Sequence, residues 1–393
     1  MPGEPSDPIA AATHSDPYPY YARLVAERPL YRDERLDLWV ASSAAAVLDV
    51  LSSEICRVRP PAEPVPRSLV GSPAGEIFRQ LVRMNDGDQH CPFKTAIVGT
   101  FDDLDTDTLL GVARERAAEL SVELQPYRDR AGISRFMFAL PVDTIATLLA
   151  VPPAVVARTV DDVAAFVGGI SPIASIADVE LAKVAAARLM DLFRAMIGAQ
   201  GLEGSASLLS VLATQARAVG KGAADLVIAN GIGLMSQTYE ATAGLIGNTL
   251  LALATHRNVL TAVRNAPATL GAVIQEVLLL DPPTQSTRRF VARSGTIAGQ
   301  SMHAGDAILV MLAPAGRDPA LNPNANGFDI ARANRRVLNF GAGPHTCPAH
   351  RIAALIAEVA VGHLLANGIE LDGLVEGTLY RRSNHLRIPI FTD

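Results

Sequence analysis

Cys347 is the residue with the most chemical promise in this chain. The three cysteines, Cys56, Cys91 and Cys347, lie far apart. An odd count without an export signal argues against a disulfide framework and for a free thiol or a ligand. Cys347 ends the run Phe340-Gly341-Ala342-Gly343-Pro344-His345-Thr346-Cys347, and an amphipathic segment follows from about Pro348 to Ala366. Glycines at 341 and 343 let the backbone turn tightly and come close to a flat ligand. A cysteine at the start of a helix meets unpaired N–H groups and the positive end of the dipole, which favour a thiolate. Such a sulfur is a soft anionic ligand suited to iron. Two other readings compete. A lone buried cysteine is often only a small hydrophobe. Cys347-x-x-His350 with His345, or the His90-Cys91 pair, could be zinc ligands, although the paired Cys-x-x-Cys is missing.

The elements that must hold this loop are mainly helical. Apolar residues recur at helical spacing in Tyr18 to Glu27, Ala74 to Met84, Leu104 to Leu124, Phe136 to Leu149, Glu180 to Gln200 and Ala268 to Leu280. The best strand signals are Leu38 to Val40, Arg289 to Ala292, Thr296 to Ala298, Ala307 to Leu312 and Leu386 to Phe391. Ala223 to His256 contains no proline, and at ~1.5 Å per residue it makes a rod of about 50 Å that must run through the core. Its waist is polar (Ser236, Gln237, Thr238, Tyr239, Glu240), with Gly231, Gly233 and Gly244 nearby. That waist rules against a membrane span. It faces either a ligand or hydrogen-bond partners on neighbouring elements. From Pro314 to Asn339 the periodicity disappears and an ordered coil delivers the chain to the cysteine loop.

No linker or low-complexity stretch divides the chain, so residues 1-393 read as a single domain. Apolar residues are 49% and charged residues 19%, enough for a large core and unlike a disordered chain. The net charge of −6 with scattered basic residues excludes a nucleic-acid footprint. Met1 to Asp16 lacks the basic-then-apolar order of a secretory signal, so a cytoplasmic location is expected.

Phe340, Gly343 and Cys347 match the haem-ligand signature Phe-x-x-Gly-x-x-x-Cys-x-Gly, with Ala349 in place of the last glycine. On this motif the chain resembles the cytochrome P450 family. Further landmarks follow in order: Asp16-Pro17-Tyr18-Pro19-Tyr20-Tyr21, Met84 with His90 and Lys94, Phe138 to Pro153, Asp281-Pro282-Pro283, Arg289, Arg317-Asp318-Pro319 and Phe328-Asp329. The resemblance implies a triangular α-rich fold with small β-sheets, and haem b (iron protoporphyrin IX) ligated by Cys347. It places Phe340, Gly341 and Ala349 in the haem loop and His90, Lys94, Arg289 and His345 at the propionates. Gln237, Glu240, Ala241 and Thr242 would line the oxygen side. Arg59 to Gly71 and Gly168 to Ser175 resemble substrate lids, with Thr284 to Thr287 and Ser383 to His385 as further walls. The implied function is a monooxygenase that hydroxylates or oxidatively couples a small organic substrate in bacterial secondary metabolism. Electrons would come from a separate ferredoxin and ferredoxin reductase. No Cys-x-x-Cys-His is present, so the haem is not covalently attached.

Three departures from the family pattern stand out. The acid-threonine pair becomes Glu240-Ala241, and the preceding small pair becomes Gln237-Thr238. Ala241 cannot donate a proton. Gln237 is one turn earlier on the same face, and its amide either replaces the missing donor or, with Thr242, bonds backbone carbonyls of its own helix. Pro348 lacks the N–H that would point at the sulfur, or is simply a good first helical residue. Glu-x-x-Arg becomes Glu276-Val277-Leu278-Leu279, and Arg332 in the coil is expected to pair with Glu276 instead. These departures keep open a peroxide-driven or otherwise atypical reaction and a non-catalytic haem accessory protein.

Overall fold

The computed structural model describes residues 3–200, 207–376 and 378–392. The long helix Ala224–Thr255 crosses the molecule. Most of its residues are buried, and it packs against Arg130–Leu148, Pro73–Gln80 and the last helix, His350–Ala366. The glycines at its waist permit close packing: a Cβ at Gly231 would meet Phe193 at 2.5 Å, and one at Gly244 would meet Pro283 at 2.7 Å. The segment Gly343–Ala366, which includes the last helix, is apolar and long enough to span a bilayer, but Ile352, Ile356, Ala360, Val361 and Leu364 are buried in the core.

One sheet has five strands, in the order Leu30–Asp33, Leu38–Ala41, Ala307–Met311, Ser286–Val291 and Cys56–Arg57. Its single parallel pairing sets Trp39 against Ile308, joining the two ends of the sequence. Two small hairpins complete the β structure. Strand Leu386 to Phe391 shrinks to Pro389–Ile390, which pairs with Leu379–Tyr380, while Leu386 makes an isolated bridge to Thr284.

Helix Phe136 to Leu149 starts earlier than its periodicity suggests, at Arg130, because the Asp129 side chain caps it. Helix Ala74 to Met84 instead ends at Gln80 and continues as a short turn, Val82–Met84. Helices Ala44–Ser52, Cys91–Asp102, Val156–Gly169, Leu208–Ala218 and Arg257–Asn265 are additional to those read from periodicity.

The coil after Met311 begins with a short helix, Leu312–Gly316, and then runs without regular structure to the cysteine loop. Glu276, fully buried, is what organises it. Arg332 donates to both of its oxygens at 3.0–3.3 Å, Arg335 donates to Oε2 at 2.7 Å, and the Asp329 N–H reaches Oε1 at 3.0 Å. Arg332 is thus the expected partner. Arg335 is a second one, and it takes the place that Leu279 leaves empty.

Candidate active site

The cysteine loop is a tight turn. The Cys347 N–H donates to the Phe340 carbonyl at 2.8 Å, closing the turn over Gly341 (φ +73°) and Gly343 (φ +68°). Position 343 needs glycine for a second reason: a Cβ there would lie 3.1 Å from the Leu51 carbonyl. Regular helix begins only at His350, three residues past the cysteine, so the dipole acts from farther away than the sequence implies. Burial raises the Cys347 thiol above its ordinary pKa, while the Ala349 N–H bonded to the sulfur and the nearby Lys94 pull the other way. A metal cation bound to the sulfur would favour the thiolate. Ala349 supplies an N–H donor that Pro348 lacks.

Cys347 lines a cavity of about 1350 Å³, and so do His90, Lys94, Arg289, Phe340, His345 and Ala349, together with Gln237, Glu240, Ala241 and Thr242. Gly341 shapes the turn and does not line the cavity. One corner is a cationic cluster around Asp86. His345 Nε2 lies 3.1 Å from Asp86 Oδ1, and the His345 and His90 rings are 4.1 Å apart. Burial and its cationic neighbours hold the His90 pKa at about 4. Lys94 Nζ bonds the Thr346 carbonyl. Arg289 is only 7% exposed, donates to the Arg288 carbonyl and has no carboxylate within ion-pair distance among the described residues. Asp86, which anchors this corner, follows Met84 in a loop without periodicity, and nothing in its local sequence marks it.

On the long helix, Gln237 Nε2 donates to the Gly233 carbonyl at 2.8 Å, as the structural alternative requires. Its oxygen makes no hydrogen bond among the described residues, and the residue lines the cavity. Thr242 makes no side-chain hydrogen bond among the described residues. Glu240 Oε1 is 3.5 Å from Arg381 Nη1. Burial raises its pKa, and Arg381 and Arg83 counter that rise. The polar waist therefore faces the cavity, whereas its glycines serve packing. The lid segments Arg59 to Ser68 and Gly168 to Ala174, and the walls Thr284, Ser286, Thr287 and Ser383 to His385, also reach this cavity.

The family model described as Cytochrome P450 matches residues 225–367, the span from the long helix through the cysteine loop and past the last helix. This match and the relatives below support a bacterial cytochrome P450. The biotin biosynthesis cytochrome P450 of Bacillus subtilis is 26% identical over 91% of each chain. The 6-deoxyerythronolide B hydroxylase of Saccharopolyspora erythraea is 28% identical over 96% of each. Among solved structures, CalO2 superposes with a TM-score of 0.82 at 22% identity, covering 98% of this chain and 97% of its own. P450BioI, solved with a hexadec-9Z-enoic acid ligated acyl carrier protein, gives 0.81 at 24%, covering 95% and 96%. This P450 is an oxidoreductase that uses haem b on small organic substrates.

The residues present fit haem. A half-buried thiol lines a cavity of sufficient size, and the nearby buried guanidinium of Arg289, without a counter-ion, suits a propionate.

Proposed function

We propose that Cys347 ligates the haem iron and that this P450 hydroxylates or oxidatively couples a small molecule of bacterial secondary metabolism. Its electrons come from a separate ferredoxin and ferredoxin reductase, in the cytoplasm. The observation carrying this reading is that Cys347 and the Gln237–Thr242 stretch of the long helix line one cavity. The haem supplies oxygen activation; the chain supplies position, charge and protons. His90, Lys94, Arg289 and His345 hold the propionates, while Phe340, Gly341 and Ala349 shape the loop.

With Ala241 in the alcohol's place, Gln237 is the cavity-lining side chain on that face with a free donor. It orders the water that Glu240 can protonate. Replacing it removes that order, so Gln237→Ala is expected to raise several-fold the fraction of consumed electrons lost as hydrogen peroxide. An unchanged fraction would leave Gln237 a purely helical residue.

A peroxide-driven reaction is the second reading, favoured by Ala241 and by the pairing of Glu240 with Arg381. Turnover with hydrogen peroxide but none with a ferredoxin chain would establish it. Pro348 bears on both readings. One fewer N–H at the sulfur leaves it more electron-rich and lowers the potential of the iron. Pro348→Ala should therefore raise the midpoint potential; an unchanged or lower value excludes that role.

A further inference from the structure

Like that of the exposed Arg382, the guanidinium groups of Arg83 and Arg288 line the cavity without a partner. Neither side chain makes a hydrogen bond or an ion pair among the described residues, although both line the cavity. Arg83 is exposed and Arg288 half-buried, and each borders the cavity. Desolvation depresses the Arg83 pKa, and Glu240 partly offsets this from beyond ion-pair distance. Arg288 is likewise depressed by burial alone.

Neither belongs to the corner built on Asp86. Arg288 and Arg289 are successive residues of one strand, so their side chains leave it on opposite faces. Arg289 feels Asp86 and Cys56, whereas Arg83 and Arg288 both act on His385, in the wall opposite the long helix's acid. His385 is held neutral, with a pKa of about 4, and cannot balance them. Together with Arg381 this region holds three guanidinium groups against one carboxylate, Glu240, already engaged by Arg381. Unpaired cations gathered at one wall of a cavity repel one another and favour an anion among them.

We infer that the substrate carries an anionic group, a carboxylate in the first instance, which Arg83 and Arg288 hold on the substrate side of the cavity. Arginine forks suit a planar two-oxygen acceptor. The anion would fix one end of the molecule and so select which carbon meets the iron. Arg83 and Arg288 are specificity-determining residues in this account, which rests on the haem reading above.

The test uses the haem-loaded protein and ω-(imidazol-1-yl)alkanoic acids of increasing chain length, each against its methyl ester, with affinity read from the shift of the Soret band. Unsubstituted imidazole comes first: no shift with it would defeat the haem reading itself. Given that shift, at one or more chain lengths the acid should bind about tenfold or more tighter than its ester, as charge-assisted hydrogen bonds lost in the ester imply. Arg83→Met and Arg288→Met should each reduce that ratio, and the double variant should bring it close to one while imidazole still binds. Arg83→Lys, which keeps the charge, should retain part of it. Esters binding as well as acids at every length, or an unchanged ratio in the double variant, overturns the proposal.

Discussion

Purified Cys347→Ala is expected to lose the red-shifted Soret band that a reduced thiolate-haem protein shows under carbon monoxide, along with all monooxygenase turnover. The loop offers no substitute ligand. His350 points its Nδ1 back at the Cys347 carbonyl, 3.2 Å away, and His345 is committed to Asp86. Because the turn is closed by a backbone bond, Cys347 N–H to Phe340 carbonyl, alanine at 347 preserves the fold while deleting the donor atom. A folded, nearly colourless protein is the expected outcome. A variant that kept the shifted band would mean that another side chain carries the iron.

The second large effect concerns stability. Removing one partner from a buried ion pair typically costs about 3–5 kcal/mol, and whole domains have only about 5–15 kcal/mol to lose. Glu276 is fully buried between Arg332 and Arg335, whose side chains are 9% and 16% exposed. The double variant Arg332→Ala/Arg335→Ala leaves that carboxylate charged and alone, and it should yield protein that is largely insoluble or empty of haem. Each single variant should be milder, because the other arginine still answers the charge. Haem content and thermal midpoint measured side by side would check this; normal values for the double variant would show that the coil is held by something else.

How much of this was legible in the residues depends on how local the determinants are. The cysteine loop could be read because its glycines, its phenylalanine and its sulfur lie within one short run, and their chemistry is set by covalent neighbours. The long helix was equally plain, since its apolar character persists over its whole length. Arg332 could be placed by resemblance, but Arg335 could not. Its meeting with Glu276 depends on the path of a coil that has no periodicity, and a missing arginine at 279 does not say where its replacement comes from. Asp86 and Arg83 escaped for the same reason: each acts through residues far along the chain, His345 for one and the cavity for the other. The early start of helix Arg130–Leu148 was hidden by its cap, because Asp129 in a polar stretch looks like any loop aspartate until Gly132 is seen bonding to it.

The seat of the cysteine loop also governs when the enzyme can mature. Gly343 rests on the carbonyl of Leu51, and Lys94 reaches forward to Thr346, so the pocket is assembled from both ends of the polypeptide. A nascent chain still on the ribosome has made the early half of that contact long before the late half emerges. Cofactor capture must therefore wait until the segment carrying Cys347 has packed onto the early segments carrying Leu51 and Lys94.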